Sequence, residues 1–259
     1  MPMMTIRGEE FHIRIDGEPG APVLLLSNSL GTNLAMWEPQ VPEWARHFRV
    51  VRYDSRGHGR STAADKPYSM ALLAQDALAI LDALGVEKAH WCGLSKGGMV
   101  GQWLATHHGE RLNRVVLANT GARMGPPELW NQRIRNVRQN GMAALVQPTL
   151  ERWFTPEFRE RDKDTVAAVS EMLSTTPPLG YACCCAAIRD MDQREPIRAI
   201  RNPVLVVIGK RDPATPPAAG HLIADAIAGA KRVELDAAHL SNLEKPAEFT
   251  RAVLDFLKG

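Results

Sequence analysis

Three side chains in this sequence have the types and order to work as a proton-relay nucleophile. Ser95 lies in Gly93-Leu94-Ser95-Lys96-Gly97-Gly98, a G-x-S-x-G pattern. The strand-like Ala89-His90-Trp91-Cys92 precedes it, and the helical Met99-Val100-Gly101-Gln102-Trp103-Leu104 follows. A serine on a sharp strand-to-helix turn sits in strained backbone, so its neighbours must be small. Gly93 and Gly97 leave room for that turn, and Gly98 lets the helix approach the sheet. The turn pushes the hydroxyl into a cleft and aims the free N–H groups of the new helix at the reacting atom. The pattern alone is weak, because glycine and serine are common in loops. The strand before it and the helix after it give it weight.

A serine hydroxyl is a poor nucleophile until a base takes its proton, and that base needs an orienting carboxylate. Asp212 follows the buried strand Val204–Ile208, at the carboxyl end where sites form in open α/β sheets. His239 follows another strand-like run, Arg232-Val233-Glu234-Leu235. The order Ser95, Asp212, His239 is the one an elbow of this kind requires. Asp54, Asp190 and Asp192 compete as orienter, but none combines a late position with a preceding buried strand. The reaction class is therefore acyl transfer. Its oxyanion needs two N–H donors. One is expected from the backbone of Lys96, the other from Ser27-Asn28-Ser29-Leu30-Gly31, with Leu30 preferred and Ser29 second. A cation in a helix's first turn opposes the helix dipole, so the Lys96 side chain is expected to snorkel to solvent. The alternative is that it adds positive potential near an anionic substrate.

The elements that must position these groups alternate. Phe11–Ile15 reads as a half-exposed strand. Val23–Leu26, Phe48–Tyr53, Val115–Ala118 and Val204–Ile208 read as strands buried on both faces. Helical patterns cover Ser69–Leu84, Lys96–His107, Ala218–Ala228 and Ala247–Leu257. The fold class is α/β, a mostly parallel, doubly wound sheet. The alternation breaks between Ala122 and Asp192, where helical stretches and prolines replace strands. The expected organisation is a core of residues 1–121 and 193–259 with an all-helical cap at 122–192.

Composition limits the partners. The chain has 259 residues and a net charge of +2, too balanced for an electrostatic nucleic-acid binder. No apolar run approaches the ~18 residues of a spanning helix. Met1–Glu10 has no basic-then-apolar leader pattern, so a cytoplasmic location is expected. Cys183, Cys184 and Cys185 are consecutive and Cys92 stands apart, which suits reduced thiols and offers no zinc pair. His107-His108 suits a helix C-terminus. No metal and no cofactor are expected.

Gly57-His58-Gly59-Arg60-Ser61, the Ser95 elbow and the late Asp and His together resemble the α/β-hydrolase superfamily over essentially the whole chain. Three stretches resemble the 3-oxoadipate enol-lactonases of aromatic catabolism. They are Ser29–Trp37, Asp212–Pro217 and Ala238-His239-Leu240-Ser241-Asn242-Leu243-Glu244. Lys96 departs from the methionine or glutamine often found there. The resemblance implies an α/β-hydrolase fold with a cap, and a small anionic enol-lactone substrate of the β-ketoadipate pathway. Such a substrate needs an apolar pocket for its ring and a cation for its carboxylate. Within the cap, Trp130, Ile134 and Val137 share a helical stripe that Arg133 flanks on one side and Arg138 on the other, while Arg135 points away. Arg133 is the expected carboxylate partner. Ser29, Trp130 and Trp153 are expected to line the pocket. The same triad also serves carboxylesterases, cofactor-free perhydrolases and carbon–carbon bond hydrolases, and a receptor with vestigial chemistry is the non-enzymatic alternative.

Overall fold

The computed structural model describes residues 3–259; Met1 and Pro2 of the segment read for a leader lie outside them. Eight strands form one sheet in the order β1-β2-β4-β3-β5-β6-β7-β8. They are β1 (Met3–Ile6), β2 (Glu9–Asp16), β3 (Val23–Ser27), β4 (Arg49–Tyr53), β5 (Ala89–Leu94), β6 (Leu112–Ala118), β7 (Val204–Gly209) and β8 (Lys231–Leu235). The pairs β1–β2 and β2–β4 are antiparallel, and every other pair is parallel. The continuous apolar runs occupy the middle of this sheet. Leu24, Leu25 and Leu26 in β3 are fully buried, as is all of β7 within a few per cent. Each such leucine contributes roughly 1.5–3 kcal/mol by leaving water. The Phe11–Ile15 segment lies in β2 near the antiparallel edge, with Phe11 and Ile13 buried as the alternation expects but His12 buried and Ile15 exposed against it. Only the short edge strand β1 went unanticipated.

Helices α1 (Val41–Trp44), α2 (Met70–Ala83) and α3 (Lys96–His107) follow the first strands. Ser69 caps α2 by accepting from the Leu72 amide. Between β6 and β7 the chain forms α4 (Pro127–Asn140), α5 (Ala143–Trp153), α6 (Pro156–Arg161), α7 (Lys163–Ser174) and α8 (Pro178–Asp190). Helices α9 (Pro217–Ala226), α10 (Ser241–Glu244) and α11 (Pro246–Lys258) complete the core. The inserted helices sit over the carboxyl ends of the strands. One approach is backbone to backbone: a Cβ on Gly57 would lie 2.6 Å from the Gly180 Cα, and Gly57 has φ +76°. The Gly57-His58-Gly59 run thus supplies the seat on which α8 docks. Among the described residues no helix is long and apolar enough to cross a membrane.

Candidate active site

Ser95 ends β5 and opens α3 at φ 55°, ψ −113°, a conformation that costs a non-glycine residue on the order of 1–3 kcal/mol. Its surroundings hold it there. The Ser95 amide donates to Ala118 O at 2.9 Å, and the Thr120 hydroxyl donates to Ser95 O at 2.8 Å. A Cβ on Gly97 would stand 2.0 Å from Ser27 O, so only glycine lets α3 come this near to β3. The Gly97 amide donates to Asn28 O at 3.1 Å and ties the elbow to the loop after β3.

His239 Nδ1 lies 2.8 Å from Asp212 Oδ2, and both residues are buried. Asp212 also accepts from Thr215 Oγ1 at 2.6 Å and Asn119 Nδ2 at 3.1 Å. The amides of Ala214 and Thr215 donate to its other oxygen at 2.8 and 2.9 Å. Burial opposes ionisation of this carboxyl, but the charge and hydrogen bond of His239 and the Thr215 donors outweigh it, and the Asp212 pKa falls below the ordinary value. A carboxylate so held fixes the Nδ1–H tautomer of His239 and leaves Nε2 as the basic nitrogen. Ser95 and His239 line one cavity of about 450 Å³. They form no direct hydrogen bond here; such bonds often tighten only in the Michaelis complex.

The residues around His239 are braces. Ala238 N donates to Glu244 Oε2 at 2.9 Å, and the Thr155 hydroxyl donates to the other Glu244 oxygen. Ser241 Oγ donates to Asn119 Oδ1 at 2.5 Å, and Asn242 Nδ2 to Met36 O at 2.8 Å. The Leu240 amide reaches Trp153 O at 3.1 Å, and the Trp153 ring packs 5.8 Å from the imidazole. The histidine loop is therefore fastened to Asn119 after β6, to Met36 and to the inserted helix α5 at once. Asn119 was not singled out from the sequence, and Thr215 and Glu244 entered only within the stretches of resemblance, with no role assigned. Asn119 carried a signal, since it directly follows the buried strand β6.

Leu30 and Ser29 line the cavity beside Ser95. The Leu30 amide donates to no other protein group among the described residues, whereas the Ser29 amide faces Met36 Sδ at 3.4 Å. Of the two, the Leu30 amide is the one without a partner in the protein. The Ser29 hydroxyl is buried without a partner. Trp130, Arg133 and Trp153 also line the cavity, with the Arg133 guanidinium 5.2 Å from the centre of the Trp130 ring. Arg138 pairs with Asp65 at 2.7 Å outside it. Arg152 and Tyr181, not anticipated, join the lining.

The Lys96 side chain does not snorkel. It is 1% exposed and has no carboxylate within ion-pairing distance among the described residues. Burial lowers its pKa, with opposing pulls from Cys184, Asp76 and Asp54. The reason is tertiary. The elbow turns this side chain inward, towards His58 and the Cys184 of α8, which leaves it no path to water. All four cysteines are buried and free, and burial pushes the Cys184 thiol up to about 11. Asp54, the rival orienter, holds His12 Nδ1 at 2.8 Å and the Leu34 amide instead. Asp190 and Asp192 pair with Arg189 and Arg194. His107 Nδ1 meets Trp103 O at 2.9 Å at the end of α3. Among the described residues no cluster of three or more His, Cys, Asp or Glu is placed to hold a metal.

Residues 22–246 match the family model described as "alpha/beta hydrolase fold". The chain is similar to 3-oxoadipate enol-lactonase 2 of Acinetobacter baylyi, 40% identical over 93% of this chain and 91% of that one. It is 33% identical to a putative carbamate hydrolase RutD of Agrobacterium fabrum, over 96% and 97% of the two chains. The crystal structure of the enol-lactonase from Burkholderia xenovorans LB400 superposes with a TM-score of 0.98 at 46% identity, covering all of both chains. With a strained serine elbow, a late Asp–His pair and helices inserted before β7, the chain belongs to the α/β-hydrolase family.

Proposed function

We propose that this hydrolase opens a small enol lactone, 3-oxoadipate enol-lactone, to 3-oxoadipate in aromatic catabolism. The observation that carries the chemistry is the buried Asp212–His239 pair, whose histidine lines one cavity with Ser95. His239 Nε2 takes the Ser95 proton as Oγ attacks the ring carbonyl. The Leu30 and Lys96 amides hold the oxyanion, and donors so placed are worth ~3–4 kcal/mol each. The tetrahedral intermediate collapses, the ring C–O bond breaks, and the leaving enol oxygen takes the proton from His239. An enol leaves more readily than an alkoxide, and it tautomerises to the ketone. Water then attacks the acyl-Ser95 carbonyl as His239 takes its proton, and Ser95 leaves with that proton.

Trp130 and Trp153 offer the apolar surface for the ring, Arg133 the cation for the carboxymethyl arm, and the Ser29 hydroxyl a polar contact near the carbonyl. The cap, residues 122–192, carries the aromatic and cationic groups; the core, residues 1–121 and 193–259, carries the triad. The reaction needs no cofactor, and the reading places the enzyme in the cytoplasm with a small anionic lactone as its partner. The similarity to two enol-lactonases supports the substrate. The test is a panel of the enol lactone, a p-nitrophenyl ester, a carbamate and a dienoic ring-cleavage product. The lactone should have the highest kcat/KM; a hundredfold preference for any other member overturns the substrate assignment.

A further inference from the structure

Two arginines of the cap face two ways. Arg133 and Arg152 line the active cavity, and the same two residues line a separate hollow of about 720 Å³ on the outer side of α4 and α5. Gln132, Arg135, Asn136 and Gln139 complete the polar lining of that hollow, and no acidic side chain contributes to it. Among the described residues none of Arg133, Arg135 and Arg152 pairs with a carboxylate, although Arg138 on the same helix does. Burial, and then the charge of Arg133, lower the pKa of Arg152. Two guanidiniums thus stand close enough to repel one another with no counter-ion between them. A carboxylate placed between them relieves that repulsion and gains charge-assisted hydrogen bonds. Leu129 lines both hollows as well and is 60% exposed. The wall between solvent and the active cavity is therefore only a few side chains thick here, and its polar members are cationic.

We propose that the cleft between α4 and α5 is the entrance for small carboxylate-bearing substrates. Arg135 and the amides around it collect the anion from solvent. Arg133 and Arg152 pass its carboxylate through the wall, and their inner faces hold it while Ser95 attacks the carbonyl. The inference rests on the reading that the substrate carries a carboxylate, and it adds Arg152 and a route to that reading.

Two p-nitrophenyl esters of equal chain length test it, one ending in a carboxylate and one in a methyl group. The readout is the ratio of their kcat/KM values at low ionic strength. The wild-type ratio should exceed one and fall as salt is added. Arg135→Glu, which alters only the outer hollow, should lower the ratio by about three- to tenfold, the scale expected of steering by one reversed charge. Arg152→Gln should lower it further, through KM for the carboxylated ester. Arg138→Gln, outside both hollows, serves as the control and should leave it in place. A wild-type ratio of one or less overturns the proposal. So does an Arg135→Glu ratio within twofold of wild type, even if Arg152→Gln lowers it, because the anion then enters elsewhere. If both esters turn over and the enol lactone does not, the lactone assignment fails while the ratio still decides the entrance.

Discussion

Replacing Gly97 by alanine tests the geometry of the elbow. The new Cβ would lie 2.0 Å from Ser27 O, and real contacts of this kind do not fall below 3.0 Å. The obstacle is backbone, in the fully buried strand β3, so it cannot swing aside. The first turn of α3 must retreat by about 1 Å, and a misplacement of that size costs on the order of a hundredfold in rate. The retreat also stretches the 3.1 Å bond from the Gly97 amide to Asn28 O, which sets the elbow against the oxyanion loop. Lys96 N–H moves with the helix, and losing one oxyanion donor costs ~10²–10³ in kcat. The expected result is a kcat at least a hundredfold lower, in a protein whose near-ultraviolet circular dichroism is native. Gly98→Ala is the partner variant. Its Cβ would meet the Thr120 side chain at 2.7 Å, which has some freedom to adjust, so its loss should be smaller. A Gly97→Ala enzyme that folds and keeps a tenth of the wild-type kcat refutes this account of the elbow. If Gly97→Ala does not fold, a Gly98→Ala enzyme with undiminished kcat does the same.

Other predictions follow from the buried groups. Asp212→Asn presents an amide donor to Nδ1, favours the wrong His239 tautomer, and should lower kcat by roughly 10³–10⁴; a loss under tenfold contradicts the orienting role. Burial, and then the Lys96 charge, hold His58 well below the ordinary histidine value. The unfolded chain therefore takes up a proton at His58 that the folded chain refuses. Stability from this group is complete above about pH 6.5 and declines below it, by up to ~1.4 kcal/mol per pH unit. Urea unfolding at pH 7.5 and 5.5 should show a smaller decline for His58→Gln than for wild type, and equal declines would exclude His58 as a source. Lys96→Met removes a buried ammonium without a counter-ion and should raise Tm by several degrees; a lower Tm would show that the charge stabilises the fold.

The fold was legible where physics acts locally. Val23–Leu26 and Val204–Ile208 read as doubly buried strands because such strands have no solvent face to show as alternation. The break after β6 was legible because strands stop there and restart at Val204. Strand β1 was not, since Met3-Met4-Thr5-Ile6 is too short to display a period and gains its stability by pairing with β2. The site divides in the same way. Ser95 announced itself because strained backbone demands small neighbours at fixed spacing. Asp212 and His239 were marked by the strands that end before them. Asn119 reaches Asp212 across a long stretch of sequence, whereas Thr215 lies only three residues from it, but both types are common in turns and neither marks a role by itself. Lys96 was misjudged because dipole and solvation arguments treat a helix in isolation, whereas the elbow points this position into the protein. Arg152 comes to Arg133 from a different helix, so no periodicity within α4 could reveal the pair.

The catalytic claim meets its most direct test in the mass of the intact protein after brief exposure to a fluorophosphonate. The wild-type chain should gain one phosphonyl group, mapped to Ser95, within minutes. Ser95→Ala should gain none, and His239→Gln should react at least a hundredfold more slowly. Fast labelling of Ser95→Ala, or a His239→Gln enzyme labelled as quickly as wild type, would contradict a serine activated by His239.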